Sequence, residues 1–125
     1  METVLVVEDD PTMLRGLKDN FEYQGYGVLC ATDGEAGLTA ALDKKPDLIV
    51  LDIMLPVLDG FSVCRRMRDD SRTRDILVLM LSARSAEVDQ VQGFRAGADD
   101  YVTKPFSTRV LMERAKALLR RPEAD

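Results

Sequence analysis

Two patterns in the sequence predict an α/β protein, a (βα)5 chain folded as a doubly wound five-stranded parallel sheet. Five short runs are continuously apolar, and between them lie stretches whose apolar residues recur at helical spacing. Continuous apolar strands are those buried on both faces, as in a parallel sheet covered by helices on each side. Each strand-helix-strand crossover must be right-handed, so the alternation closes into an open sheet between two helical layers. A length of 125 residues suits one core, and no repeat, low-complexity stretch or internal linker divides it.

Each element has local reasons. The first strand, residues 4–7, ends on Glu8-Asp9-Asp10. Asp10 then caps, and Pro11 opens, a helix with Leu14, Leu17 and Phe21 on one face, closed by Gly25. The second strand, 28–31, runs into an Asp33-Gly34 turn and a helix carrying Leu38, Ala41 and Leu42 that stops before Pro46. The third strand, 48–51, precedes a helix with Phe61, Cys64 and Met67. The fourth, 76–81, precedes one with Val88, Val91 and Phe94 that ends before Gly97. The last strand, 101–103, leads to a helix with Leu111, Ala115, Leu118 and Leu119. It ends at Arg120-Arg121-Pro122, where the arginines place positive charge at a helix C-terminus. The domain is expected to span 1–121, with 122–125 the start of a linker or C-terminal tail.

Composition narrows the function. Apolar residues make up 46% and charged residues 31%, the balance of an ordinary globular protein, which excludes disordered and fibrous classes. The apolar runs are far shorter than the roughly 20 residues a bilayer span needs, and no basic-then-apolar leader opens the chain. A cytoplasmic location without membrane contact is therefore expected. Acids outnumber bases 22 to 17, a net charge of −5, which argues against direct nucleic acid binding. Cys30 and Cys64 have neither CxxC spacing nor the density of a staple framework, and read as buried free thiols. Met13, Met54, Met67, Met80 and Met112 read mostly as gap-filling core. The chain has no histidine. That removes Ser-His-Asp and Cys-His catalysis, histidine-ligated zinc and a resident phosphohistidine together.

In a doubly wound sheet, ligands bind beyond the carboxyl ends of the strands. Those ends here carry Glu8, Asp9 and Asp10 after strand one, Asp52 after strand three, Ser82 after strand four, and Thr103-Lys104-Pro105 after strand five. Carboxylates from two strands repel unless something positive lies between them. With oxygen ligands alone, a hard divalent cation fits, and a small carboxylate set suits Mg²⁺, which keeps waters and shares positions with phosphate. A carboxylate can also attack a phosphoryl group, given a metal and a cation to offset the phosphoryl oxygens.

Four segments carry a resemblance. These are Val4-Leu5-Val6-Val7-Glu8-Asp9-Asp10-Pro11, Leu51-Asp52-Ile53-Met54-Leu55-Pro56 followed by Asp59-Gly60, Met80-Leu81-Ser82-Ala83, and Gly97-Ala98-Asp99-Asp100-Tyr101-Val102-Thr103-Lys104-Pro105-Phe106. In this order and spacing they resemble the receiver domain of two-component response regulators, over residues 2 to 121. The resemblance implies a flavodoxin-like strand order of 2-1-3-4-5. It implies Asp52 as phosphoacceptor, Asp9 as direct metal ligand, Glu8 as an acid holding the metal through water, and Asp52 with the Met54 backbone carbonyl completing the protein's share. The metal is Mg²⁺, with Mn²⁺ able to serve in its place. Lys104 then pairs with the phosphoryl group, Ser82 swings inward to one of its oxygens, and Tyr101 follows as switch aromatic. The partner is a histidine kinase or histidine phosphotransfer protein, and no substrate turnover is implied beyond self-catalysed phosphoryl transfer and slow loss of the phosphoryl group. The family's Lys104-Pro105 bond is cis, whereas an arbitrary X-Pro bond is cis only about 5% of the time, so the residues alone favour trans.

The stretch from Gly97 onward is most similar to the winged-helix transcription-factor branch, whose receivers pair through helix four, strand five and helix five. Asp100 and Arg114 match one cross-interface ion pair of that branch, while Gln90 and Val110 stand where another would be charged. A phosphorylation-enhanced homodimer is therefore expected, with lower salt sensitivity than a fully charged interface.

Plainer readings exist for each residue. Asp52 alone reads as a turn acid, Ser82 as a loop hydroxyl, and Lys104 as a solvated turn lysine. Asp10 is better read as a helix cap than as a ligand. Tyr101 and Phe106 read as core or half-buried packing. A flavodoxin-like cofactor binder would need a hydroxyl- or glycine-rich loop where Glu8-Asp9-Asp10 stands. An aspartyl-nucleophile phosphatase would offer a second acid at position 54, which is Met. The remaining alternative is a pseudo-receiver, a phosphorylation-independent protein-binding module, which usually lacks an acid or the lysine that this chain retains.

Overall fold

A computed structural model describes residues 1–83 and 87–120, so the tail expected at 122–125 lies outside the described residues, as does Arg121. Strands and helices alternate as β1 (Thr3–Val7), α1 (Pro11–Tyr23), β2 (Gly27–Ala31), α2 (Gly34–Lys44), β3 (Leu48–Asp52), α3 (Gly60–Asp69), β4 (Leu77–Ser82), α4 (Glu87–Ala96), β5 (Asp100–Thr103) and α5 (Thr108–Leu119). The sheet is parallel with order β2-β1-β3-β4-β5, as expected. Side chains alternate along each inner strand and so feed two half-cores. Leu5, Val7, Ile49, Leu51, Val78 and Met80 face Phe61, Cys64 and Met67 of α3. Val4, Val6, Leu48, Val50, Leu79 and Leu81 face Leu17 and Phe21 of α1 and Leu111, Met112 and Ala115 of α5.

The helix starts follow the sequence. Asp10, Asp33, Asp59 and Ser107 each cap a helix by accepting a backbone N–H, from Thr12, Ala36, Ser62 and Val110 respectively. The helix stops do too: α1 gives way to Gly25 at φ 96°, and α2 ends on Lys45 in the left-handed region just before Pro46.

Three packing expectations change. β2 lies at the sheet edge with one neighbouring strand, and of its residues Ala31 alone is buried; Cys30 is exposed rather than buried. Met54 lies 61% exposed in the β3–α3 loop, outside the core. Val88, Val91 and Phe94 of α4 all face solvent, while Gly93 and Ala96 are its buried residues. The reason is local. A methyl carbon at Gly93 would come within 2.8 Å of the Tyr101 ring, so the absence of a side chain there lets the helix backbone settle on that ring.

Candidate functional site

Parallel strands put their carboxyl ends on one edge, and the acids expected there converge. Glu8 follows β1 and is 1% exposed, Asp52 closes β3 and is 4% exposed, and Asp9 is exposed. Each of the three offers a carboxylate oxygen within 4.8 Å of the other two. Lys104, after β5, donates from Nζ to Glu8 Oε1 at 2.9 Å and to Asp52 Oδ2 at 2.8 Å. The Lys104–Pro105 bond is cis, against the expectation from the residues alone and as the resemblance implied.

The remaining oxygens are held as well. Asp52 Oδ1 accepts the Met54 N–H at 3.1 Å, and Glu8 Oε2 accepts the Asp10 N–H at 3.1 Å. Asp10 turns its own carboxylate to the Thr12 N–H, as a cap and not as a member of the cluster. Ser82 is fully buried at the end of β4, level with Thr103, and its carbonyl accepts the Lys104 N–H at 2.7 Å. Tyr101 is 8% exposed, packed among the half-core under α4.

Electrostatics follow from burial. Desolvation pushes the Glu8 carboxyl up to about 7 and the neighbouring Asp52 charge adds to the rise, against the Asp10 N–H and the Lys104 ammonium. Burial also weighs against the Lys104 charge, yet the bonds to Asp52 and Glu8 prevail and hold its pKa above the usual lysine value. Two buried carboxylates thus share one ammonium, with a third acid exposed beside them. Oxygen donors converging with excess negative charge suit a hard divalent cation, and Glu8, Asp9, Asp52 and the adjacent Met54 carbonyl are the groups that could hold one.

The loop carrying Met54 is more ordered than its sequence suggests. Leu55 N–H donates to Ile53 carbonyl at 3.0 Å and Leu58 N–H to Pro56 carbonyl at 2.8 Å, two successive γ-turns. The second is centred on Val57 at φ 72°, a left-handed conformation that a β-branched residue rarely adopts. No signal in the sequence marks that valine. Gly60 closes the loop by donating to the Ile53 carbonyl at 2.8 Å. A side chain there would lie 2.4 Å from the Asp52 carbonyl oxygen, which gives the Asp59-Gly60 pair a physical reason.

Two further arrangements lie away from the cluster. Arg114 Nη1 bonds both Asp100 carboxylate oxygens at 3.0 Å within the same chain. Arg68, which sequence reasoning missed, commits each of its five N–H groups: to Gly97 carbonyl twice, to the carbonyls of Arg74 and Ile76, and to Asp99 Oδ2. A charged residue one turn after buried Cys64 was its only hint.

Residues 4–116 match the family model of the response regulator receiver domain. Among curated proteins, the chain is 49% identical over 98% of its length to the DNA-binding dual master transcriptional regulator RpaA of Synechocystis sp.. It is 50% identical over 96% of its length to the alkaline phosphatase synthesis transcriptional regulatory protein PhoP of Bacillus subtilis. It spans 51% and 49% of those proteins, about half of each. Among solved structures, the receiver domain of the Francisella response regulator 1452 superposes with a TM-score of 0.91 at 35% identity, covering 97% of this chain and 98% of that one. The receiver domain of sensor histidine kinase PA1611 of Pseudomonas aeruginosa, which has a magnesium ion coordinated in its active site cleft, superposes with a TM-score of 0.88 at 29% identity, covering 96% and 98%. Strand order, the acid cluster with its shared lysine and these matches agree: the chain belongs to the response regulator receiver domain family.

Proposed function

We propose that this domain receives a phosphoryl group on Asp52 from the phosphohistidine of a histidine kinase or histidine phosphotransfer protein, in the presence of Mg²⁺, and changes its α4-β5-α5 surface in response. The observation that carries the reading is the pair of buried carboxylates, Glu8 and Asp52, bound to one ammonium at the carboxyl edge of the sheet with Asp9 in reach. The donor histidine belongs to the partner, since this chain has none. In the transfer an Asp52 carboxylate oxygen bonds to phosphorus as the phosphorus–nitrogen bond breaks, and the released imidazole takes up a proton.

Asp9, Asp52 and the Met54 carbonyl would hold Mg²⁺ or Mn²⁺ directly, and Glu8 through water. Bound there, the ion supplies positive charge that offsets the incoming phosphoryl oxygens. The Lys104 ammonium, which the Asp52 Oδ2 atom engages at 2.8 Å, would turn to a phosphoryl oxygen once that carboxylate carries the phosphoryl group as an acyl phosphate. The Ser82 hydroxyl would bond a second phosphoryl oxygen, and the Tyr101 ring would move into the space it leaves. The magnesium ion of the related PA1611 receiver supports the metal assignment.

The output surface is read from exposure. Val88, Val91 and Phe94 on α4 and Val110 on α5 are apolar and solvent-facing. Val110 lies one turn before Arg114, the partner of Asp100, and with the exposed α4 side chains offers apolar surface suited to a second copy of the domain. A cross-chain Asp100–Arg114 contact would exchange for the one already made within the chain. As RpaA and PhoP are named transcriptional regulators, control of transcription by a fuller protein is the output this reading favours.

The test is labelling with acetyl phosphate, followed by intact-mass measurement. Uptake is expected with Mg²⁺ or Mn²⁺ and not in chelator, and Asp52→Ala should abolish it. Labelling of that variant at the normal rate would overturn the assignment. Sedimentation of beryllofluoride-treated protein across a salt series tests the dimer, and a strict monomer in both states would rule it out.

A further inference from the structure

The β3–α3 loop, which carries the Met54 carbonyl, rests on a second support outside the acid cluster. Gly34, the first residue of α2, is buried and donates its backbone N–H to the Pro56 carbonyl at 3.2 Å. Its Cα also faces the neighbouring carbonyl of Leu58 so closely that a methyl carbon built there would lie 1.7 Å from that oxygen and 2.6 Å from the carbonyl carbon. Both contacts are to backbone, which cannot rotate aside as a flexible side chain can. Pro56 and Leu58 are themselves joined by the γ-turn around Val57. The two carbonyls therefore move as one piece, and Met54 lies two residues before Pro56 on the same short loop.

We propose that Gly34 is a positioning residue for the cation: its missing side chain sets the height of the β3–α3 loop, and thereby where the Met54 carbonyl stands relative to Asp52. This rests on the metal-assisted reading above. A side chain at position 34 has to push the Leu58 carbonyl away by more than an ångström to reach an ordinary contact distance. That displacement passes through the turn to Met54. Groups that orient metal ligands from outside typically change affinity about 10- to 100-fold when disturbed.

Gly34→Ala is the direct test, with Gly97→Ala as its matched control. Gly97 has φ 110° and lies against Arg68 before β5, at the opposite edge of the sheet, so its substitution also destabilises but leaves the loop alone. Mg²⁺ titration by calorimetry on the folded proteins, without phosphoryl donor, should give at least about tenfold weaker binding for Gly34→Ala and unchanged binding for Gly97→Ala. Equal affinities in wild type and Gly34→Ala would overturn the proposal while leaving the metal reading intact. No Mg²⁺ binding by the wild type would overturn the metal reading itself.

Should Gly34→Ala not fold, the wild type decides the matter. On Mg²⁺ addition the Gly34 amide resonance should shift with the same midpoint as that of Met54, because its N–H is bonded to the loop that the ion settles. A Gly34 amide that stays still while Met54 shifts would refute the coupling.

Discussion

Replacing Lys104 with Met removes the one ammonium that Glu8 and Asp52 share while keeping a side chain of similar length. The side chains of the two acids are 1% and 5% exposed, and that of the lysine 22%, so the charges interact with little solvent between them. At 2.8 Å the Asp52 contact has a Coulomb energy of about 6 kcal/mol at an effective dielectric of about 20, before desolvation is charged against it, while Glu8 at 2.9 Å, raised to about 7, is only partly charged at neutral pH and adds less. Breaking a buried pair from one side costs about 3–5 kcal/mol net, and the partial exposure of Lys104 favours the lower figure. For 125 residues an unfolding entropy of about 0.26 kcal/mol/K converts about 3 kcal/mol into a fall in Tm of about 11 °C. The assay is a thermal melt in chelator, repeated with Mg²⁺, where part of the loss should return because a bound cation replaces the missing charge and favours the folded state. A drop below about 1 kcal/mol in chelator would refute the view that the lysine is the internal counter-ion of the metal-free domain.

Three other outcomes can be checked directly. Val57→Gly should stabilise the domain by about 1 kcal/mol, since relief of a left-handed β-branched residue outweighs the added freedom of glycine in the unfolded chain, and urea denaturation showing a loss would contradict it. Burial pushes the Cys64 thiol up to about 11 while Cys30 is exposed, so a chromogenic disulfide reagent should titrate one thiol in the native protein and the second only in denaturant; two fast thiols would contradict that. Burial opposes the Asp59 charge, but the Ser62 N–H and hydroxyl and nearby Arg65 outweigh it and hold the carboxyl below its usual value of 3.8. Its folded pKa is depressed, so the charged cap contributes fully above the unfolded value and fades as pH falls through the folded one. Asp59→Ala should therefore cost about 1 kcal/mol at neutral pH, a gap that narrows in acid; a gap independent of pH would exclude the charge contribution.

Much of the fold was legible because burial on two faces leaves continuous apolar runs such as Leu48 to Leu51, and their alternation with helical stretches points to a covered parallel sheet. The acids were legible for a topological reason: parallel strands place Glu8 and Asp52 on one edge whatever their side chains do. α4 was only half legible. The spacing of Val88, Val91 and Phe94 announced a helix, yet spacing cannot say which face a sheet accepts, and here the smallest residues, Gly93 and Ala96, won the interior. The strained turn at Val57 and the contact at Gly34 depend on backbone meeting backbone, which side-chain patterns do not encode, and the cis bond before Pro105 was legible through the family resemblance alone.

Arg68 shapes how long the fold lasts as well as how stable it is. Its partners Arg74 and Ile76 lie six and eight residues on, in the α3–β4 connection, whereas Gly97 and Asp99 come within reach only once the segment before β5 has docked. Bonds to Gly97 and Asp99 that form after the folding transition state would slow unfolding and leave the refolding rate nearly untouched. The three bonds to Gly97 and Asp99 hold the turn before β5, while the two from Nη1 to the Arg74 and Ile76 carbonyls hold the α3–β4 connection. The Arg68 clasp thus ties α3 to the turn before β5 at the amino edge of the sheet, at the far end from the carboxyl edge where Asp9 lies exposed beside two buried acids.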